Sequence, residues 1–184
     1  QLEKLKLEML QDKSLPLRIG ASNLVFGVGN PDTSTLLIGE GPGYWEDLKG
    51  EPFVGNAGKL LDQLLESIDL SREKNVYITN VVHHRPPENR DPLPSEIEAY
   101  RPYLDKIIEI IRPKVIVTLG RFSMAKFLPG VKITSVHGKV FDLDWKGLKI
   151  KVIPMYHPAA ALRSTEVMRQ IREDFQRLPT ILQE

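Results

Sequence analysis

Apolar residues along the chain recur in two ways, at helical spacing and in short unbroken runs. The first dozen residues place Leu2, Leu5, Met9 and Leu10 on one side of a helix. Ala57 to Leu70 does the same with Leu60, Leu61, Leu64, Leu65 and Ile68. From about Pro94 to Ile111 the inward set is Ile97, Tyr100, Leu104, Ile107, Ile108 and Ile111, with Pro94 tolerated in the first turn. A short helix near Phe122 to Phe127 and a last one from about Thr165 to Leu178 complete this set. Strand-like runs fall at Val25-Phe26, Thr35 to Ile38, Val76 to Val82 and Val115 to Leu119. Val140 to Asp144 and Leu148 to Ile153 form a hairpin-like pair around Trp145-Lys146-Gly147. Strands alternating with helices predict an α/β fold, a parallel sheet covered on both faces in three layers. No internal repeat or linker interrupts it, and 184 residues suit one domain, residues 1–184.

Three of the apolar runs end in side chains suited to chemistry. Leu36-Leu37-Ile38 leads into Gly39-Glu40-Gly41-Pro42-Gly43, Val76-Tyr77-Ile78 into Thr79-Asn80, and Val152 to Tyr156 into His157-Pro158. Ligands of open α/β sheets bind outside the carboxyl ends of the strands, so these ends predict one shared cleft. Two stretches resist regular structure. Gly39 to Asn56 holds five glycines and two prolines in eighteen residues, and His83 to Pro94 is rich in Pro, Arg and Asn.

Composition narrows the chemistry. No cysteine is present, which excludes disulfides, thiolate nucleophiles and cysteine-held clusters. Four scattered histidines leave little for a zinc site, and adjacent His83 and His84 point their rings apart if the segment is extended. The net charge of +1 does not announce a nucleic-acid binder, although an enzyme gripping a few phosphates needs only a local basic surface. The absence of a long apolar run and of a signal-like start predicts a cytoplasmic protein without a membrane partner.

The strand-end segments resemble the signatures of family 4 uracil-DNA glycosylases. Gly39 to Gly43 with Glu46-Asp47, then Pro52 to Leu61, is similar to the first signature. Thr79-Asn80-Val81-Val82 followed by Arg85 to Pro92 resembles the second, and His157-Pro158-Ala159-Ala160-Ala161-Leu162-Arg163 the third. The resemblance implies a central four-stranded, mainly parallel sheet and the excision of uracil from DNA, leaving an abasic site. It also implies an iron–sulfur cluster on four cysteines. Their family positions fall here at Asp12, Leu15, His84 and Tyr100, so no cluster is expected and no metal or other cofactor in its place. Packing of Leu15 and Tyr100 against apolar neighbours is expected to hold that corner instead. A related branch links to DNA through a histidine in an insertion that the His83 to Pro94 loop lacks.

An enzyme cutting the N-glycosidic bond of uracil must flip the nucleotide into a pocket. The resemblance assigns stacking to Phe53, which read alone is an ordinary core residue. Asn80 has the donor and acceptor for uracil O4 and N3–H, and read alone merely ends a strand. Glu46 corresponds to a position that crowds the C5 edge against thymine; a solvated loop carboxylate is the other reading. His157 directs an N–H at uracil O2, stabilising the departing anion, or else simply starts a helix. No Asp stands at Gly41 to act as a base, so Glu40, the Gly41 backbone and Asn89 are the candidates for positioning water. Leu162 is placed to fill the vacated stack and Arg163 to meet a phosphate, or they are a helix's apolar face and a solvated charge. Pro86, Pro87, Ala159 and Ala160 bring backbone to the DNA. His137-Gly138 marks a further loop facing DNA. The expected partner is uracil-containing DNA, met by a monomer in the cytoplasm at the nucleoid. A module that binds uracil or damaged DNA without cutting it is the alternative. A nucleotide enzyme using Gly39 to Gly43 as a phosphate cradle ranks last, since the glycine spacing and the Gly-Lys-Ser/Thr ending are missing.

Overall fold

The computed structural model describes residues 1–184. In chain order the elements are α1 (Leu2–Gln11), β1 (Val28–Gly29), β2 (Thr35–Gly39), α2 (Tyr44–Lys49), α3 (Asn56–Glu66), β3 (Tyr77–Asn80), a 3-10 turn at Pro87–Asn89, α4 (Pro94–Ile111) and β4 (Val115–Leu119). There follow α5 (Arg121–Phe127), α6 (Ile133–Val136), β5 (Phe141–Trp145), β6 (Leu148–Met155), α7 (Pro158–Ala161) and α8 (Thr165–Leu182). No helix is long and apolar enough to cross a membrane.

The sheet has six strands in the order β1-β3-β2-β4-β6-β5. Its four central strands are parallel, as the family resemblance implies. One antiparallel strand is added at each edge, so the sheet is wider than four. The β5–β6 hairpin lies where the sequence places it. The first edge strand does not: Val25 and Phe26 are buried ahead of β1, and the Val25 N–H is donated to the His83 carbonyl, outside any ladder. Gly29 (φ 127°) has its Cα so close to the Val76 carbonyl that a Cβ would lie 2.3 Å from it, which places this edge on glycine.

Alternate residues of the central strands feed two cores. Leu36, Ile38, Ile116 and Val152 face α1 and α4, packing with Met9, Tyr100, Leu104, Ile107 and Ile108. Leu37, Val117, Ile153 and Met155 face the other way, onto Leu61, Leu64 and Leu65 of α3 and Ile171 and Phe175 of α8. Strands buried on both faces are mainly apolar, which is why they appear in sequence as runs. The chain leaves β2 for β3 on one side and returns to β4 on the other. Strand order therefore reverses at β2, the place where such sheets bind ligands.

The Gly39 to Asn56 stretch is more ordered than its composition predicts. It contains α2, closed at Gly50 in the left-handed region (φ 78°) and anchored by buried Asp47. The Asp47 carboxylate accepts the backbone N–H groups of Ser22 (2.9 Å) and Asn23 (3.0 Å), and Asn23 Nδ2 donates to the Asp47 carbonyl at 2.7 Å. Tertiary hydrogen bonds supply what helical periodicity in so short a segment cannot.

His83 and His84 are both buried, and the chain bends after β3 instead of staying extended, so both rings meet Tyr100, at 5.8 and 5.7 Å between centroids. His83 Nε2 pairs with Thr79 Oγ1 at 3.1 Å, and His84 Nδ1 with the Tyr100 hydroxyl at 2.6 Å. Burial lowers the pKa of His83 to about 3 and that of His84 to about 4. The unfolded chain binds protons near pH 6.5 that the folded chain refuses, so stability drops as pH falls from about 6.5 towards 4. Each such ring contributes up to ~1.4 kcal/mol per pH unit. Urea denaturation midpoints at pH 7 and pH 5 measure this: the midpoint at pH 5 is the lower, and His84→Gln flattens the pH dependence.

Candidate active site

The carboxyl ends of β2 and β3 lie in register, Gly39 opposite Asn80, and β6 delivers His157 two residues beyond its end. Together they border a cleft of about 580 Å³. Glu40, Gly41, Phe53, Asn80 and His157 line it, joined by Glu46 and Asn89. Its outer rim carries Pro86, Ala159, Ala160, Leu162 and Arg163. Pro87 is the exception among the expected residues: it opens the 3-10 turn, exposed, and lies outside the cleft wall. Pro86, expected beside it, does line the wall, and the turn directs Pro87 outward.

Asn80 is 2% exposed, and its Oδ1 has no hydrogen-bond partner within the chain. A buried acceptor without a donor costs about 1–3 kcal/mol, and this atom is open to a donor from outside the chain. Gly39 makes the position possible, since a Cβ there would come within 2.5 Å of Asn80 Oδ1 and 2.6 Å of the Phe53 ring.

Phe53 is held in a strained backbone conformation, with φ at 53° in the left-handed region. Such strain persists only where neighbours over-determine it. Arg72 does so by donating to the Pro52 carbonyl (3.0 Å) and the Phe53 carbonyl (2.7 Å) while Asp62 holds its Nε at 2.8 Å. On the other side Gly58 packs so tightly that a Cβ would lie 1.9 Å from the Phe53 carbonyl oxygen. The ring is therefore fixed against the cleft, 5.4 Å from the His157 ring at an angle of 27°.

His157 caps α7: its Nδ1 accepts the Ala159 N–H at 3.1 Å. With Nδ1 an acceptor, the proton of the neutral ring sits on Nε2. Burial, reinforced by the Arg163 charge, lowers the ring's pKa to about 4. The group is thus a neutral donor at physiological pH.

Glu46 is half-buried and not free. Its carboxylate accepts from the backbone N–H groups of Gly43 (3.0 Å), Val54 (2.9 Å) and Gly55 (2.8 Å), tying both arms of the glycine-rich loop together. Asn89, in the left-handed region at φ 58°, accepts from Arg85 Nε at 2.6 Å. Burial chiefly, then the Asp91 charge, raises the pKa of Glu40, against the opposing pull of Arg121. Asp91 itself pairs with Arg121 at 2.5 Å, and Arg90 forks onto Glu96 with two bonds of 2.8 Å. Arg90 and Asp91 line the cleft without having been expected there. Their charge in an Arg-Asp-Pro loop was the available signal. His137 lies apart from the cleft wall, its Nδ1 2.7 Å from buried Asp174.

The chain matches the family model of the uracil DNA glycosylase superfamily over residues 26–178. It belongs to that superfamily. A type-4 uracil-DNA glycosylase of Archaeoglobus fulgidus is 46% identical, covering 96% of this chain and 91% of its own. Proteins of the same name from Sulfurisphaera tokodaii (44% identical, 96% and 83%) and Thermotoga maritima (46%, 91% and 87%) are similar over comparable lengths.

The iron–sulfur cluster that type 4 implies does not fit the residues at its positions. Leu15 is buried and offers no donor, and fully buried Tyr100 spends its hydroxyl on His84. Asp12 accepts from Ser14 N–H at 2.9 Å and from the Tyr103 hydroxyl at 2.6 Å. Leu15 and Tyr100 do pack into the α1–α4 core, but the corner is also held by these polar pairs, which apolar packing alone did not predict.

Proposed function

We propose that the chain, acting as one domain and a monomer, flips uracil out of DNA and hydrolyses its N-glycosidic bond, leaving an abasic site for repair in the cytoplasm. The observation that carries this reading is the unpaired Asn80 Oδ1 in a cleft shared with the neutral His157 ring. Uracil N3–H donates to Asn80 Oδ1, and the Asn80 amide N–H donates to O4. Cytosine turns an acceptor towards Oδ1 and forfeits about 1–3 kcal/mol for each bond lost. Phe53 provides the face on which the base stacks. Glu46, pinned by three N–H groups, forms a wall at C5 that a thymine methyl cannot push aside.

The bond from C1′ to N1 breaks with both electrons leaving on uracil. The negative charge reaches O2, where His157 Nε2–H donates to it. Preorganised donation of this kind lowers the barrier without a strong nucleophile. Water then adds to the sugar cation at C1′, held by Glu40, Asn89 and the Gly41 backbone, and its proton passes to the Glu40 carboxylate. A raised pKa suits Glu40 to receiving it. Leu162, 48% exposed at the rim, fills the vacated stack, and Arg163 with the Pro86-Pro87 and Ala159-Ala160 backbones meets phosphates.

Oligonucleotides bearing uracil, thymine, cytosine or hypoxanthine at one position test the reading directly. Alkali-labile abasic sites form from uracil and not from thymine or cytosine. Tight binding of the uracil strand with its glycosidic bond intact supports instead a module that recognises without cutting.

A further inference from the structure

Helix α2 is firmly held yet presents large aromatic rings to solvent. Tyr44 is 50% exposed, Trp45 53% and Leu48 53%, although the intervening Asp47 is buried and Glu46 is bonded to three backbone N–H groups. The exposure therefore belongs to a rigid surface, not to a loose segment. The two rings meet edge to face, 5.0 Å between centroids. The Arg85 guanidinium lies over Tyr44 at 5.4 Å, within cation–π range, and its Nε is donated to Asn89 of the cleft. At the other end Trp45 lies against Gly55, where a Cβ would come within 3.6 Å of the indole. Asn89, Arg85, Tyr44 and Trp45 thus form one continuous strip from the cleft wall outward.

We propose that this strip is a stacking platform for a nucleotide next to the flipped uracil, with the Trp45 face carrying its base, Tyr44 bracing the indole edge to face and Arg85 meeting its phosphate. The inference rests on the uracil-DNA reading and extends it to the flanking strand. Three features favour nucleic acid as the occupant. The strip is continuous with the proposed base pocket, it carries a cation beside exposed π faces, and the rings are preorganised. Aromatic rings beside basic side chains bind single strands without regard to sequence. Unstacked bases at a flipped site offer the faces that such a platform needs.

The chain has two tryptophans, and Trp145 lies in the β5–β6 hairpin, outside the cleft. A Trp145→Phe variant leaves Trp45 as the reporter. Titration with uracil-free oligothymidylate at low salt is expected to quench its emission, and Arg85→Ala is expected to weaken that binding about tenfold. Unchanged emission at saturating strand overturns the platform. A second measurement compares kcat/KM on a uracil 20-mer with that on a single deoxyuridine nucleotide, which has no neighbouring base. Trp45→Ala and Tyr44→Ala lower the ratio of the two about tenfold, because the longer substrate alone reaches beyond the pocket. An unchanged ratio also overturns the proposal. Quenching by oligothymidylate with no cleavage of either uracil substrate leaves the platform standing and removes the glycosylase reading, so the two failures are distinct.

Discussion

Asn80→Ala lowers kcat/KM on uracil-containing DNA by about two to three orders of magnitude while leaving the melting temperature unchanged or slightly raised. The two effects have one cause. In the free protein the buried Oδ1 is an acceptor without a donor, so removing it relieves a cost of about 1–3 kcal/mol that offsets the small cavity left behind. In the complex the same deletion strips the two proposed hydrogen bonds from the uracil edge, each worth about a factor of ten or more. Steady-state kinetics beside thermal melts of the same preparation measure both quantities. A variant that loses stability in proportion to activity shows Asn80 to be a structural residue. Full activity in the alanine variant removes it from base recognition.

His157→Ala loses about two to three orders of magnitude in kcat, the usual cost of deleting one preorganised donor to a developing anion. It also costs ~1 kcal/mol of stability through the lost cap on Ala159 N–H. Leaving-group dependence separates the two contributions. A 5-fluorouracil base leaves as a more stable anion and needs less help, so the penalty of the variant shrinks on that substrate. A purely structural role gives equal losses on uracil and 5-fluorouracil. With the ring's pKa near 4, the protonation state of His157 does not change between pH 6 and pH 8, and any activity change in that window arises elsewhere. Glu40 is the group whose raised pKa moves a carboxylate towards that range.

Particular residues show how far the chain could be read in advance. The α3 and α4 stripes and the β5–β6 hairpin follow from spacing because each buries one face against the sheet, and burial of a face is what periodicity records. Glu40, Asn80 and His157 were legible as strand ends, since parallel strands deliver their carboxyl ends to one edge. Helix α2 was not, because six residues among glycines and prolines carry no period and are stabilised by Asp47 across the chain. Nor was the bend that turns His83 and His84 onto Tyr100, which depends on α4 lying beneath them.

What the sequence alone determined is the doubly covered sheet, the three chemical segments at its edge and, through them, the superfamily. These depend on residue type and order, which the chain carries in itself. The tertiary structure decided how the segments are set: which Asn80 atom is left without a partner, which His157 nitrogen holds the proton, and how Arg72 and Gly58 hold Phe53 in its strained turn. Each of these depends on distances between residues remote in sequence, and hydrogen bonding and close packing are set by such distances.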